Sequence, residues 1–301
     1  MLYLASAVDV SLYDNLFTGT IPTEFGLLQK LESLYFDVNH LIGSIPSELG
    51  TMKHLNDLRL RHNHFIGAIP TELANLDRLE ILYMDQNELT GTIPLGLAGL
   101  EFLSELHLYG NKLKGSIPTE LANLRSLVSL YLDNNHLTGE IPTEFGNLID
   151  LQELYIHKNY LNGTLPTELG KMSNLRNFRA YTNGLYGPVP DEISKAWQIR
   201  KSRQPLLVLL VCKFWNANNL FDSLFRTDDL YLHDNLLTGT LPVTIKDMNR
   251  LQRFRVYWND FVGTVPMEIC DLTDFKLSEF KADCDGENPS ITCKCCTECF
   301  S

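Results

Sequence analysis

The stretch that decides the fold runs from Leu127 to Asn147 and reads LVSLYLDNNHLTGEIPTEFGN. Its parts recur along the chain every 24 residues. In each copy a Gly follows an Asn by four residues, and Ile, Leu or Val and then Pro come two and three residues after the Gly. A repeat of this length indicates a solenoid of stacked coils. The glycines are Gly19, Gly43, Gly67, Gly91, Gly115, Gly139, Gly163 and Gly187, followed after a gap of 52 residues by Gly239 and Gly263.

The apolar positions predict the geometry of one coil. Leu130 and Leu132 alternate with Tyr131, which is the period of a strand with one buried face. Pro142, followed by Thr and Glu, is typical of the first turn of a short helix, 3₁₀ or α, because the missing N–H of Pro costs nothing there. One such coil cannot bury its leucines. Stacked coils bury them, and the strands then pair in parallel into one sheet.

The Asn of each repeat is predicted to be structural. A side-chain amide offers two donors and an acceptor. Inside a turn it satisfies backbone groups of its own coil and of the neighbouring coils. The residues concerned are Asn15, Asn39, Asn63, Asn87, Asn111, Asn135, Asn159, Asn183, Asn235 and Asn259.

The pattern L-x-x-L-x-L-x-x-N-x-L-x-G-x-I-P resembles the plant-type leucine-rich repeat over about residues 4–285. Receptor-like kinases, receptor-like proteins and polygalacturonase-inhibiting proteins carry such repeats. The resemblance implies an α/β-type repeat solenoid, a right-handed superhelix with a concave parallel β-sheet and an irregular or 3₁₀ convex side. It says little about the ligand, because this scaffold serves many functions.

Departures from the repeat divide the chain into four segments. Residues 1–193 hold about eight repeats and start in mid-repeat, so we expect the amino-terminal cap to lie in missing upstream sequence and a signal or anchor to be missing from this chain. Residues 194–228 are a degenerate repeat or an insertion. An island loop near a ligand site is the functional interpretation, but a degenerate coil or a mistaken exon boundary is favoured. Repeats resume over 229–269, and 270–301 form a Cys-rich cap.

Six cysteines near the carboxyl end predict a disulfide-tied cap in an oxidising compartment. A Cys₄ zinc site is the rival interpretation; we favour disulfides and predict no metal. The tail is similar to those of secreted algal leucine-rich-repeat proteins. Cys212 is left over, and Asn162-Gly163-Thr164 forms a glycosylation sequon. The cap cysteines are Cys270, Cys284, Cys293, Cys295, Cys296 and Cys299.

The strand positions between the framework leucines carry Tyr, Arg, His and Asp, and we expect them to face solvent on the concave sheet. Neighbouring strands lie about 4.8 Å apart, so the side chains form ladders that stabilise the sheet or a surface that recognises a partner. We favour recognition. His40 and His64 lie at equivalent positions on neighbouring coils, which makes a surface metal site geometrically possible, but a pH-sensitive binding face is the more attractive interpretation of the histidines. The predicted binding residues are Tyr35, Arg59, Arg61, Tyr83, His107, Tyr109, Tyr131, Tyr155, His157, Arg179, Tyr181, Arg255, Tyr257 and Trp258.

Composition and motifs argue against several classes of function. The net charge of −12 disfavours nucleic acid as a partner, and no apolar run is long enough to span a bilayer. No catalytic signature occurs, and we expect neither enzymatic activity nor a cofactor. We predict an extracellular or cell-surface recognition module for a protein, peptide or cell-wall glycan, with a co-receptor as a further partner. The alternatives are a structural or adhesive surface protein and an ectodomain fragment of a membrane-anchored receptor kinase.

Overall fold

A computed structural model describes residues 6–196, 228–273, 276–285 and 291–300. Within these ranges, twelve strands form one wholly parallel sheet whose spatial order is the order of the chain. This concave sheet was predicted from the leucine spacing. Its strands are Asp9–Ser11, Ser33–Tyr35, Asp57–Arg59, Ile81–Tyr83, Glu105–His107, Ser129–Tyr131, Glu153–Tyr155, Asn177–Arg179, Asp228–Tyr231, Leu251–Arg255, Glu279–Ala282 and Glu298–Cys299.

The core is a column of apolar side chains behind this sheet. Leu130 pairs in register with Leu106 on one side and with Leu154 on the other. The framework leucines of this coil, Leu127, Leu130 and Leu132, are 0% exposed. Each coil therefore buries its apolar face against its two neighbours, as the repeat length predicts.

The turn after each concave strand is held by the repeat Asn. Asn135 Nδ2 donates to the carbonyls of Leu132 and Asp133 in its own coil, at 3.1 and 3.2 Å, and to Leu108 in the preceding coil at 3.0 Å. Its Oδ1 accepts the N–H of Leu113 at 3.0 Å. The predicted structural role of the asparagines is confirmed.

A second set of short strands follows the turns and forms a second edge of the solenoid, beside the concave sheet. The repeat glycines adopt a positive φ here, for example +80° at Gly139, which an L side chain rarely tolerates. These second-edge strands are Thr18–Gly19, His40–Gly43, His64–Ala68, Glu88–Thr90, Lys114–Ser116, His136–Gly139, Tyr160–Leu161, Tyr186–Gly187, Leu236–Gly239, Asp260–Phe261, Gly263–Thr264 and Ile291–Thr292.

Short helices on the convex side return the chain to the next strand. Pro precedes each 3₁₀ helix in extended conformation, with φ near −60° at Pro142, and Glu144 lies in the first turn of the helix that follows. The predicted short helix is confirmed, but Pro142 lies at its N-cap rather than in its first turn. The 3₁₀ helices span Thr23–Leu27, Ser47–Thr51, Thr71–Asn75, Leu95–Gly99, Thr119–Asn123, Thr143–Asn147, Thr167–Lys171 and Val243–Asp247, and four-residue α-helices span Ile193–Ala196 and Met267–Cys270.

The concave sheet continues directly across the break in the repeat. Asn177–Arg179 pairs with Asp228–Tyr231 in register, and Asn235 Nδ2 donates to the Ala180 carbonyl as if the two coils were consecutive. No strand between them enters the sheet within the described residues. Residues 197–227, including Cys212 and the apolar run before it, lie outside the described residues.

Disulfides close the carboxyl-terminal cap. Cys270 pairs with Cys295, Cys284 with Cys299 and Cys293 with Cys296. The strands Glu279–Ala282 and Glu298–Cys299 extend the concave sheet into the cap. The predicted disulfide-tied cap is confirmed. Among the described residues, no helix has the length and apolar character needed to cross a membrane.

Candidate functional site

The concave face consists of three rows of side chains that run across the strands. The middle row, between the framework leucines, contains Tyr35, Arg59, Tyr83, His107, Tyr131, Tyr155, Arg179, Tyr231, Arg255 and Lys281. The trailing row lies two residues later and contains Asp37, Arg61, Asp85, Tyr109, Asp133, His157, Tyr181, His233 and Tyr257. The leading row begins the strands and contains Ser33, Asp57, Ile81, Glu105, Ser129, Glu153, Asn177, Asp229, Arg253 and Glu279.

The middle row is a continuous stack of rings and guanidinium groups. Rings of His107 and Tyr131 are 4.1 Å apart at the centroids, and those of Tyr131 and Tyr155 are 4.4 Å apart, all nearly parallel. Arg179 continues the stack, with Cζ 4.3 Å from the Tyr155 centroid and 5.3 Å from that of Tyr231. At the other end the Arg59 guanidinium lies 4.8 Å from the Tyr35 centroid. The spacing of the strands brings these groups together, as predicted.

Sequence analysis missed the leading row, which holds the middle row in place. The hydroxyl of Tyr83 donates to Glu105, and that of Tyr131 donates to Glu153. Arg255 Nε donates to Glu279 Oε1 at 2.5 Å. The sequence signal that could have revealed this row is the two-residue period of a strand, which places the first and third residues of each strand on the same face.

Arginines of the middle and leading rows share carboxylates. Arg253 binds Asp229 through Nε and Nη2, each at 2.7 Å, and Arg179 Nη2 donates to the same carboxylate at 3.2 Å. In the cap, Lys281 Nζ lies 2.6 Å from Glu298 Oε2. These charged groups are therefore fixed before any partner arrives.

A second ring stack runs through the carboxyl-terminal part of the trailing row. Tyr181 stacks on His233 at 4.3 Å, and Tyr257 stacks on Phe300 at 4.1 Å. Trp258 meets Tyr257 edge-on at 5.1 Å and is 54% exposed. Phe300 was not predicted, because it lies in the cap, beyond the repeat pattern. Trp258 is the most exposed aromatic side chain of this cluster.

Burial corrects one expectation about the predicted binding residues. All of them lie on or beside the concave face, but Arg59, Tyr83 and His157 are buried, at 7%, 8% and 7% exposure. Large side chains at the strand spacing cover one another's flat faces, so the expected projection into solvent is wrong for these three. Trp258 is exposed, and the other ten predicted residues are half-buried.

The hypothesis of a pH-sensitive histidine face is wrong for three histidines of the concave face. Burial lowers the pKa of His107 and His157 to about 3 and that of His233 to about 4, and nearby arginines add to the effect. These imidazoles therefore stay neutral near physiological pH, whereas an ordinary His titrates near pH 6.5.

Carboxyls of the trailing row titrate instead. Burial raises the pKa of Asp37 to about 6 and that of Asp85 and Asp133 to about 7. Arg61, whose Nε lies 3.5 Å from Asp37 Oδ2, partly opposes this effect at Asp37 and Asp85. The negative charge of this row therefore changes across the mildly acidic range.

The candidate metal ligands do not form a free site within the described residues. The Sγ atoms of Cys284, Cys293 and Cys296 lie within 4.8 Å of one another, but all three cysteines are in disulfides. His40 and His64, which occupy equivalent positions on neighbouring coils, stack at 6.1 Å. The structure thus shows the disulfide interpretation of the cap rather than the zinc interpretation.

A parallel sheet of stacked coils, an internal asparagine ladder and convex 3₁₀ helices together define a leucine-rich-repeat solenoid. Sequence comparison agrees that the chain contains leucine-rich repeats. One leucine-rich-repeat family profile matches residues 77–137, and a second matches 30–52, 54–76 and 150–172. A comparison with curated protein sequences finds no significant match.

Solved structures with the same fold include plant receptor ectodomains. The plant peptide hormone receptor RGFR1, in complex with RGF2, is 30% identical with a TM-score of 0.78, over 91% of this chain and 39% of that one. The Arabidopsis receptor kinase HAESA, in complex with the peptide hormone IDA and the co-receptor SERK1, is 30% identical with a TM-score of 0.73, over 86% and 39%. The chain spans about two fifths of the length of these receptors.

A plant ice-binding protein has the same fold as well. It is 25% identical with a TM-score of 0.69, and the match covers 97% of this chain and 83% of that protein. The solenoid itself therefore does not fix the ligand, and the function must be argued from the concave face.

Proposed function

We propose that this chain is a non-enzymatic, extracellular recognition module that binds an extended peptide or protein segment along its concave face. The observation that carries the proposal is the continuous stack of rings and guanidinium groups from Tyr35 to Arg255, held by the leading-row carboxylates. Tyr, Trp and Arg are the residues that dominate binding hot spots. The peptide-hormone receptor structures described above support this function, and a co-receptor is a further partner under it.

Preorganisation makes such a face suitable for binding. Ordering a rotamer-rich side chain on association costs about 0.5–1.5 kcal/mol. Here Arg179 and Arg253 are already held by Asp229, and the Tyr131 hydroxyl is held by Glu153. When a partner contacts these groups, their side chains therefore lose little further conformational entropy.

The exposed parts of the stack favour a polypeptide over a glycan. Tyr131 has a neighbouring ring on each face, at 4.1 and 4.4 Å, so ring edges rather than faces remain for a partner. A sugar that stacks on an aromatic face finds such a face chiefly at Trp258, which is half-exposed. A polypeptide side chain can pack against ring edges along the whole row.

A structural or adhesive role is the second candidate, and one observation favours it. The hydroxyls of Tyr35, Tyr83 and Tyr131 all donate to carboxylates of the following coil, so the stack also ties neighbouring coils together. Under this role, the concave side chains contribute to stability and bind no ligand.

The test uses the whole chain, secreted with an added signal sequence, and screens it against random peptides and against cell-wall oligosaccharides. The concave variant Tyr109→Ala/Trp258→Ala is compared with the flank variant Ile42→Ala/Ile66→Ala, whose side chains are also partly exposed. We expect selected peptides to bind the concave variant at least roughly tenfold more weakly and the flank variant with unchanged affinity.

Three outcomes separate the candidates. Loss of peptide binding with an unchanged melting temperature supports recognition on the concave face. Equal binding by both variants, or selection of oligosaccharides alone, contradicts it. A lowered melting temperature in a chain that retains no peptide supports the structural role.

A further inference from the structure

Asn162 occupies an exposed turn on the second edge. Its backbone N–H donates to the Gly139 carbonyl at 2.8 Å, which fixes the turn, while its side chain is exposed. Among the described residues no hydrogen bond engages its side-chain amide. Gly163 follows with φ +80°, and Thr164 is exposed. The acceptor amide and the hydroxyl of an Asn-x-Thr sequon are therefore both accessible.

Two exposed aromatic rings flank this turn. Tyr160 is 65% exposed and precedes Asn162 by two residues on the same face. Tyr186 is 50% exposed and occupies the position in the next coil that is equivalent to Asn162. Its N–H donates to the Gly163 carbonyl at 2.9 Å. His136 stacks beside Tyr160 at 5.8 Å. Both tyrosine rings are therefore accessible to a group attached at Asn162.

We propose that Asn162 carries an N-linked glycan whose first sugars pack over Tyr160 and Tyr186. The donor class is a polyprenyl-diphosphate-linked oligosaccharide. The Asn162 amide nitrogen forms a bond to the anomeric carbon, the bond from that carbon to the diphosphate oxygen breaks, and the amide loses one proton. The polyprenyl diphosphate leaves, and no oxidation or reduction takes place.

The glycan would cover the flank and leave the concave rows free. Asn162 follows the second-edge strand Tyr160–Leu161, whereas the middle row of the same coil is represented by Tyr155 on the concave strand Glu153–Tyr155. The modification thus requires passage through a secretory pathway but does not depend on any particular ligand of the concave face.

The test is secretion of the full chain from a glycosylating eukaryotic cell, followed by mass spectrometry. We expect an added oligosaccharide on the peptide that contains Asn162. Its release by peptide N-glycosidase leaves an aspartate at that position. The substitutions Asn162→Gln and Thr164→Val remove the modification, and Thr164→Ser retains it.

Thr90→Asn in the Asn162→Gln background gives a matched control. It creates the sequon Asn-Gly-Thr at the equivalent turn three coils earlier, where Glu88 and Lys114 take the places of the two tyrosines. If the sequon at 90–92 is glycosylated and Asn162 in the unsubstituted chain is not, the proposal is overturned.

Hydroxyl-radical footprinting tests the packing of the sugars. We expect Tyr160 and Tyr186 to be protected in the glycosylated chain and to become reactive after enzymatic removal of the glycan. The exposed Tyr13, far along the solenoid, should react equally in both forms. Equal reactivity of Tyr160 and Tyr186 with and without the glycan would overturn the packing over these rings.

Discussion

Asp57 and Arg59 lie two residues apart on one concave strand and form a bidentate ion pair. The carboxylate accepts hydrogen bonds from Arg59 Nε at 2.8 Å and Nη2 at 2.7 Å, and both residues are buried. Tyr35 of the preceding coil donates its hydroxyl to Asp57 Oδ2 at 2.9 Å. One carboxylate therefore holds both the guanidinium and the ring on which it stacks, and at Tyr83 and Tyr131 the tyrosine hydroxyl is likewise held by a carboxylate of the following coil.

Asp57→Ala is expected to lower the free energy of unfolding by about 3 kcal/mol, because it leaves the Arg59 charge buried without its principal partner. The measurement is chemical denaturation of the secreted chain. The double variant Asp57→Ala/Arg59→Met removes the charge as well and should recover most of the loss. A double variant no more stable than Asp57→Ala would show that the buried charge is not the cause.

Asn135→Ala is expected to destabilise the protein by about 3 kcal/mol, since it removes four hydrogen bonds in the interior and takes away the acceptor of the Leu113 N–H. Asn15→Ala is the matched control. Asn15 stands at the same repeat position in the first described coil, but it is exposed and donates only to the carbonyls of Leu12 and Tyr13. We expect a loss of less than about 1 kcal/mol there. Equal losses in denaturation would contradict the ladder as the source of stability.

Two glycines of the convex helices should respond in opposite directions to a methyl group. A Cβ at Gly50 would lie 2.2 Å from the backbone oxygen of Glu72 in the next coil, whereas a Cβ at Gly99 would meet nothing within 4 Å. Gly50→Ala should therefore destabilise by about 1–3 kcal/mol. Gly99→Ala should be neutral or stabilise by about 0.5 kcal/mol through the unfolded chain. Thermal unfolding of the pair measures the difference, and equal shifts would contradict the close packing at Gly50.

The repeat made the fold predictable because it states one structural unit many times. Leu130, Leu132 and Asn135 each have a single role that follows from periodicity and hydrogen-bonding capacity. The packing at Gly50 is a feature that the repeat pattern does not predict. Ala74 occupies the equivalent position one coil later, so the sequence alone does not reveal that the coils approach more closely at Gly50.

The site was predicted less completely than the fold. The ring stack followed from strand spacing, and Tyr131 and Arg179 lie where expected. The leading-row partners were missed because Glu153 and Asp229 belong to neighbouring coils, and their effect depends on three-dimensional contacts. The burial of Arg59 and the pKa values of the histidines depend on how tightly large side chains fill the face, which a repeat pattern does not specify.

Asp85→Asn should change how stability depends on pH. Burial raises the pKa of Asp85 from 3.8 to about 7, with Arg61 and Tyr109 opposing the shift and Asp37 adding to it. Between these two pH values the native carboxyl keeps a proton that the unfolded chain has lost, so rising pH weakens the native state until the carboxyl is ionised. The variant lacks this penalty. Its stability relative to the unsubstituted chain should rise by on the order of 4 kcal/mol from pH 4 to pH 8 and then level off.

Denaturation curves across this pH range measure the difference between the two proteins. The low pKa values of His107, His157 and His233 make stability rise with pH, because the unfolded chain binds protons that the native state does not bind. These histidines are common to both proteins, so their contribution cancels in the difference. A flat difference for Asp85→Asn would mean that this carboxyl titrates in the folded protein as it does in the unfolded chain.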